Sequence, residues 1–227
     1  MRIQIRKLTS RVSTWMVVVA FVAVIGGGAV FAASNSDFTQ IINAGVLSTD
    51  IVDNSGNTVA NPSVPMTTQN FSFNCQTSTS VNPFGTNTQR IYASNPDAAD
   101  NGWTLTVAAA SPTTLWQNTG NTQNYDFNDV NGCTDGADGD SRGGQLTINP
   151  ATGTITPDCS GCNNTGITTG TSAGFVEGTT NSITLINAAS NSQDIWRGYL
   201  TGVGVSQAIP AQQAADSYTL NLVVTIQ

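Results

Sequence analysis

Seven oxygen-bearing side chains crowd one glycine-rich stretch and could bind a hard cation. Residues 126–140 read DFNDVNGCTDGADGD, and the candidate ligands are Asp126, Asn128, Asp129, Asn131, Asp135, Asp138 and Asp140. Carboxylates this close repel one another unless water, a cation or a partner neutralises them. Calcium takes about six to eight oxygen ligands, and the small intervening residues let a backbone wrap and lend carbonyls. The stretch therefore predicts a calcium site.

A second interpretation of the same stretch stays open. Its spacing is not that of an EF-hand, because with Gly132 at the turn position Phe127 occupies the first ligand place and no Glu closes the loop. A hydrated acidic loop that aids solubility, tied down by Cys133, accounts for the same residues. Only Arg142 adds a positive charge nearby. Calcium binding and simple solvation remain alternatives at the level of sequence.

The first 32 residues have the layout of a secretory signal peptide. Basic residues precede the apolar run at 15–25, and the small residues Val30 and Ala32 stand where signal peptidase reads. The run is shorter than the roughly 20 residues that span a bilayer as a helix. We expect cleavage after Ala32, with a retained N-terminal anchor as the alternative, and residues 33–227 as a single domain.

The expected mature chain is strongly acidic. It keeps three of the seven basic residues, Arg90, Arg142 and Arg197, against all 14 acids, so its formal charge is −11. Lys and Arg make the contacts to phosphate groups, and this chain has few of them. Nucleic acid and anionic lipid are therefore excluded as expected partners, and no membrane span is expected after cleavage.

Four cysteines in an exported chain predict two disulfides, for which three pairings are possible. We favour Cys75 with Cys133 and Cys159 with Cys162, because the short CSGC segment can close on itself. A zinc site with four Cys ligands is disfavoured, since only one C-x-x-C is present. A thioredoxin-like site is disfavoured as well, because no strand precedes CSGC and no apolar helix follows it.

Apolar and polar residues alternate through most of the chain, which is typical of strands with one buried face. Turn-rich pieces separate the alternating segments, and no stretch has a helical period over three turns. The fold class predicted is all-β, an antiparallel β-sandwich, Greek-key-like, with long loops. The predicted strands lie at 46–52, 70–75, 90–94, 102–107, 145–148, 173–177, 181–186, 198–206 and 217–226.

A long acidic, cysteine-bearing region, about 118–172, interrupts the strands. We expect mostly loop there, with a hairpin at 145–156, where the sequence reads QLTINPATGTIT. Loops of this length in a compact domain are usually functional or held by a disulfide or an ion.

The composition argues against an enzyme. The expected mature chain has no His or Lys and a single Glu, Glu177, so the usual general bases and nucleophile pairs are missing. The Asp-Thr-Gly and Asp-Ser-Gly segments of aspartic proteases are absent too. We therefore expect a non-enzymatic protein.

Two segments resemble the Trp-x-Leu (WxL) domain of secreted bacterial wall-associated proteins. The first is Trp103-Thr104-Leu105, and the second is the C-terminal YTLNLVVTI, in which Val224 and Ile226 stand where that family has a second Trp and Leu. The motif residues are Trp103, Leu105, Tyr218, Leu222, Val224 and Ile226. The resemblance covers nearly the whole expected mature chain. It implies a β-rich domain that attaches non-covalently to peptidoglycan, often among other surface proteins.

The tryptophans are expected to differ in exposure. Alternation places Trp103 in the core from a central strand, together with Tyr218, Leu222 and Val224. Trp116 and Trp196 stand outside regular alternation and are candidates for an exposed stacking surface, with ordinary loop packing as the alternative.

The function predicted is that of a secreted, non-enzymatic bacterial surface domain. It would bind the cell envelope, either a cell-wall polymer such as peptidoglycan or another surface protein. The alternative is a structural subunit of an extracellular filament or surface layer, in which strand edges pair between copies.

Overall fold

The period-two alternation corresponds to fifteen short strands in the part of the chain that the structure describes. The computed structural model describes residues 40–41, 43–98, 101–136 and 141–227, and Asn43–Gln227 form one compact unit. Its strands are β1 (Ser48–Val52), β2 (Gln76–Thr79), β3 (Arg90–Asn95), β4 (Trp103–Ala109), β5 (Trp116–Asn118), β6 (Asn124–Tyr125), β7 (Gln145–Asn149), β8 (Thr154–Pro157), β9 (Ile167–Thr169), β10 (Ala173–Gly174), β11 (Ser182–Ala188), β12 (Trp196–Thr201), β13 (Gly204–Ile209), β14 (Tyr218–Thr219) and β15 (Leu222–Ile226).

The predicted signal peptide, residues 1–32, lies outside the described residues, as do Asp138 and Asp140. Helical structure among the described residues is confined to a 3-10 turn at Pro150–Thr152. Within the same ranges, no helix is both long enough and apolar enough to cross a membrane.

The strands form four antiparallel sheets, which confirms the prediction of an all-β, sandwich-like fold. The orders are β1-β3-β12-β8, β10-β7-β13-β2, β15-β4-β11-β9 and β14-β5-β6. The inward residues of the three larger sheets pack into one core. Alternation is clearest in β4, where Trp103, Leu105 and Val107 are buried and the residues between them are not.

A pair of tryptophans joins two of these sheets. Trp103 on β4 and Trp196 on β12 are 3% and 1% exposed, and their ring centroids are 5.4 Å apart. The Trp196 ring lies over Gly198, the next inward residue of β12, where an added Cβ would come within 2.6 Å of the ring. The burial predicted for Trp103 is therefore correct. The exposed stacking role considered for Trp196 is wrong, because its strand turns the ring into the core.

One long two-stranded ribbon connects two sheets by bending at a corner. β8 pairs with β12 and β7 pairs with β13, so both strands pass from one sheet to the next at the same place. One side of the corner is the 3-10 turn, and the other is Gly202, whose φ is +84°. Thr152 fastens the two sides, since its hydroxyl donates to the carbonyl of Gly202 and accepts from the amide of Gly204, each at 2.9 Å.

That corner accounts for two errors of the sequence analysis. The expected hairpin at 145–156 is absent, because β7 and β8 run on into different sheets and do not pair with each other. The single strand expected at 198–206 is likewise two strands, β12 and β13, divided at Gly202. The alternation of apolar and polar residues is the same whether the chain turns back to form a hairpin or bends and continues into a neighbouring sheet.

Three other predicted strands differ in detail. Residues 70–75 are irregular, and Phe71 and Phe73 are 52% and 73% exposed, so the Phe-Ser-Phe alternation does not mark a buried face. The C-terminal strand is interrupted at 220–221 between β14 and β15, which join different sheets. In β11 a bulge at 184–186 breaks the register with β4, so Leu185 and Ile186 are both buried.

Both disulfides of the favoured pairing are present. Cys75 is joined to Cys133 with their Cα atoms 5.5 Å apart, and Cys159 to Cys162 with 5.3 Å. The first bridge links the segment before β2 to the acidic stretch, across 58 residues of chain. The second closes the CSGC loop at the end of β8, beside β12, where the Arg197 amide donates to the Cys159 sulfur.

The Trp103–Trp196 contact should carry a large share of the stability. Replacing either residue with alanine should lower the free energy of unfolding by about 3–5 kcal/mol, because a buried Trp leaves a large cavity. Ile195→Ala is the matched control: Ile195 adjoins Trp196 but is 61% exposed, so a change within about 0.5 kcal/mol is expected. Chemical denaturation measures both, and an equal effect of the two substitutions would contradict the assigned core.

The two disulfides should stabilise the domain unequally. Closing the longer loop restricts the unfolded chain more, which raises the free energy of unfolding further. We expect a contribution of about 4 kcal/mol from Cys75–Cys133 and about 2 kcal/mol from Cys159–Cys162. Paired Cys→Ser variants, one bridge at a time, should follow that order in denaturant unfolding. A larger loss from the CSGC bridge would show that the native-state contacts of that loop outweigh chain entropy.

Candidate functional site

A groove of about 900 Å³ is lined in part by the C-terminal strand and is the first candidate site. Its floor is apolar, with Leu146 and Ile148 of β7 and Val205 of β13. Leu222 and Val224 of β15 and residues 62–72 also line it. Large, mostly apolar concavities with a few converging polar groups are the usual place of ligand binding.

Three aromatic residues that line this groove contact one another. Trp116 of β5 stacks on Tyr125 of β6, with centroids 5.8 Å apart and planes 7° from parallel. Tyr218 of β14 meets Tyr125 edge-on at 5.1 Å. The three residues share the small sheet β14-β5-β6, in which β5 is the central strand. We call Trp116, Tyr125 and Tyr218 the aromatic trio.

The members of the trio differ in exposure and in polar contacts. Trp116 and Tyr218 are half-buried, whereas Tyr125 is 5% exposed. Burial, together with the neighbouring Tyr218, raises the pKa of Tyr125 well above its usual range, so this phenol is neutral at any physiological pH. The Tyr218 hydroxyl donates to the carbonyl of Ala214 at 2.7 Å and accepts from the Gln213 amide at 2.8 Å. The rings are therefore fixed before any ligand arrives.

A buried glutamine positions Trp116. Gln207 of β13 is 1% exposed, and its Oε1 accepts the Trp116 indole N–H at 2.8 Å. Its Nε2 donates to the carbonyls of Ala208 at 2.7 Å and Asp126 at 3.2 Å. Every polar atom of the side chain is satisfied, as burial demands. Gln207 thus connects the aromatic trio to the acidic stretch, a role that the sequence analysis missed because the residue reads as an ordinary polar strand position.

Asn118 and Asp216 form a second polar support of the groove. Asn118 is 6% exposed; its Oδ1 accepts from the amides of Thr122 and Gln123, and its Nδ2 donates to the Asp216 carboxylate at 2.7 Å. The Asn118 bond, followed by the Ser217 amide, lowers the pKa of Asp216. Asp216 is the one charged residue among the described residues that line the groove. The groove therefore suits an uncharged ligand and disfavours an anionic one.

The residues of the WxL-like motifs divide between the core and the groove. Trp103 and Leu105 are buried, at 3% and 0% exposed. Tyr218, Leu222 and Val224 line the groove and are half-buried. Leu222 and Val224 pack against the core, as predicted, whereas Tyr218 is not part of the core, so its predicted place there is wrong. Ile226 is half-buried and packs against the core. β15 is the edge strand of its sheet and pairs with β4 alone among the named strands.

The first residues of the acidic stretch form backbone hydrogen bonds with residues 143–146. The amides of Asp126 and Asp129 donate to Gly143 and Gly144, and the Leu146 amide donates to Phe127, which packs against Phe175 at 5.2 Å. Asp126, Asn128 and Asp129 are 3–5% exposed at this base. Three of the seven predicted calcium ligands therefore belong to the fold and not to an open loop.

The described candidate ligands do not converge on one point. Asp129 Oδ1 accepts from the Gly136 amide at 2.6 Å, and Asn128 donates to the Pro112 carbonyl. Asn131 Oδ1 accepts from the amides of Cys133 and Thr134 and from the Thr134 hydroxyl, which makes it a turn cap. No group of three Asp, Glu, Cys or His residues that could hold a metal ion exists among the described residues. A calcium site would need Asp138 and Asp140, beside the exposed Asp135.

No family model, characterised protein or solved structure matches this chain. Its class is therefore defined by its own geometry: an all-β, disulfide-bonded domain with an aromatic-rimmed groove.

Calcium binding remains a testable prediction. Millimolar calcium, added after thorough chelation, should raise the melting temperature, as a ligand specific to the folded state must. Asp135→Ala and Asp138→Ala should abolish the rise, whereas the control Asp194→Ala, an exposed carboxylate on another loop, should leave it intact. An unchanged melting curve for the wild-type protein would assign the acidic stretch to solvation and folding alone.

Proposed function

We propose that this protein is a secreted, non-enzymatic surface domain that binds the cell envelope through the groove beside β15. The observation that carries the proposal is the aromatic trio, fixed by Gln207 and by the Tyr218 hydroxyl in the lining of this groove. Rigid aromatic rings provide large apolar contact area at little entropic cost, and a ligand can stack on them without rearranging the site.

The chemistry of the groove supports a neutral segment of a wall polymer as the ligand. Sugar rings offer apolar faces for Trp116 and Tyr218 and hydroxyl groups for the polar rim, where Asp216 and the hydroxyls of 67–72 lie. The wall-attached family that the sequence resembles supports the same proposal. Its motif residues Tyr218, Leu222 and Val224 all line this groove.

The compartment fits such a role. Both disulfides require an environment that oxidises thiols, which for bacteria means outside the cytoplasm.

Binding to isolated cell walls tests the proposal, because a sedimentation assay separates bound from free protein. Trp116→Ala and Tyr218→Ala should each weaken wall binding by at least about tenfold, equivalent to roughly 1.4 kcal/mol. The matched control is Phe73→Ala, which removes a 73% exposed aromatic residue outside the groove and should leave binding unchanged. The assay is run with and without chelator, so that a contribution of calcium is seen separately.

Stability must be measured beside binding, because Trp116 is half-buried and contacts Tyr125. Trp116→Phe keeps a ring in place and should retain part of the binding, but it removes the indole N–H that Gln207 accepts and should therefore lower the melting temperature. If both alanine variants melt normally and bind walls as tightly as the wild-type protein, the groove is not the wall-binding site. Failure of the wild-type protein to bind walls at all would remove the proposed function itself.

A filament or surface-layer subunit is the second candidate, and β15 favours it. This edge strand pairs with β4 alone among the named strands, and Val223 on its outer face is 49% exposed. An open strand edge is a template for pairing with another chain. Size-exclusion chromatography distinguishes the two: a monomer that sediments with walls supports the first function, and a polymer without wall affinity supports the second.

A further inference from the structure

Two Arg-x-Tyr segments meet on the outer face of one sheet. Arg90-Ile91-Tyr92 lies in β3 and Arg197-Gly198-Tyr199 in β12, and the two strands pair directly. Ile91 and Gly198 point into the core, so period-two alternation places the arginines and tyrosines on the opposite face. A motif that repeats on two neighbouring strands of the same sheet is not explained by core packing.

The strand register puts the two tyrosines at the centre. Tyr92 and Tyr199 are directly paired, with ring centroids 5.8 Å apart and both rings half-exposed. Because the strands are antiparallel, Arg90 and Arg197 stand at opposite ends of the tyrosine pair. We call these four residues, with Asp158, the tyrosine platform.

Each arginine of the platform is oriented by the protein. The Arg90 guanidinium lies 5.0 Å from the centre of the Tyr199 ring and forms no ion pair with any described residue. The Arg197 Nε donates to the Asp158 carbonyl and lies 3.7 Å from the Asp158 carboxylate, while its side chain stays 54% exposed. Its two Nη groups have no hydrogen-bond partner among the described residues. An exposed pair of this kind contributes little stability, so its geometry needs another reason.

The platform borders a polar pocket of about 520 Å³. Asp158 accepts the Tyr199 hydroxyl at 2.7 Å, and Asp50, opposite Tyr92 on β1, has its carboxylate bonded to the Ile51 amide and the Thr58 hydroxyl. The turn at 53–57 forms the far wall, and the Asp53 carboxylate holds it by accepting the amides of Ser55 and Asn57. Asp50, Asp158 and Arg197 line the pocket, and Arg90 lies outside its lining, over the Tyr199 ring. Both carboxylates accept hydrogen bonds from the protein, so the donors left for a ligand are those of the arginines.

Charge makes this face unusual within the molecule. The chain beyond residue 32 has three basic residues against 14 acids, and the fold brings two of the three to one tyrosine pair. Guanidinium groups bind carboxylates with two parallel hydrogen bonds, and tyrosine rings give flat faces on which a sugar ring can stack. The groove beside β15 has no basic lining residue among those described, so the two sites differ in the ligand each suits.

We propose that the tyrosine platform is a second binding site, specific for a glycan that carries carboxylate groups. A sugar ring packs on Tyr92 and Tyr199, and its carboxylate pairs with the Nη groups of Arg197 or with Arg90. The Asp158 carboxylate holds the Tyr199 hydroxyl, and the Asp53 carboxylate holds the neighbouring turn. The site is independent of the groove and of its proposed wall ligand.

Calorimetric titration with two oligosaccharides of equal length tests the inference, one of galacturonic acid units and one of galactose units. The acidic oligomer should bind at least about tenfold more tightly, and its affinity should fall as salt is raised. Arg90→Gln, Arg197→Gln and Tyr92→Ala should each weaken it about tenfold. Arg142→Gln is the matched control: it removes the same charge from a residue that bonds the Asn124 carbonyl and does not line the pocket.

The outcomes are separable from those for the groove. Trp116→Ala should leave binding of the acidic oligomer unchanged, because Trp116 does not line this pocket. Equal binding of the two oligomers, or an equal loss in Arg142→Gln and Arg197→Gln, would overturn the assignment of a carboxylate site. No binding of either oligomer by protein with the wild-type melting temperature would overturn the platform as a glycan site.

Discussion

The contact between Trp103 and Trp196 is the constraint on which the rest of the structure depends. It connects the sheet that contains β4 to the sheet that contains β12, and both rings are almost completely buried. Neither indole N–H has a hydrogen-bond partner among the described residues, a cost that the apolar contact of both rings must exceed. Gly198 is part of the same constraint, because any side chain there would occupy the space of the Trp196 ring.

The two-stranded ribbon that bends at Gly202 connects the core to both candidate sites. β12 contributes Trp196 and Leu200 to the core on one face and Arg197 and Tyr199 to the platform on the other. After the corner at Gly202, β13 supplies Gln207, which positions Trp116 at the groove. A disturbance of the core should therefore reach either surface through changes in strand position, so stability must accompany every binding measurement on this protein.

The two surfaces suit chemically different ligands. The groove is apolar and aromatic with one carboxylate, whereas the platform presents two guanidinium groups beside two tyrosines. A domain with two such sites would hold a polymer that alternates neutral and carboxylated parts, or two polymers at once. Weak binding at each site would then combine, since the second contact is made at high effective concentration.

The sequence by itself determined the fold class, the pairing of nearby cysteines and the burial of Trp103, because alternation, loop closure and size are local properties. It also marked the acidic stretch, but not that Asp126, Asn128 and Asp129 lie at a buried base. Only the tertiary structure decided that residues 145–156 bend forward at a corner, that Trp196 points inward, and that Arg90 and Arg197 flank one tyrosine pair. Those facts depend on which strands pair over long stretches of chain, from 41 residues between Pro157 and Gly198 to 109 between Ile91 and Leu200, and no local pattern encodes that choice.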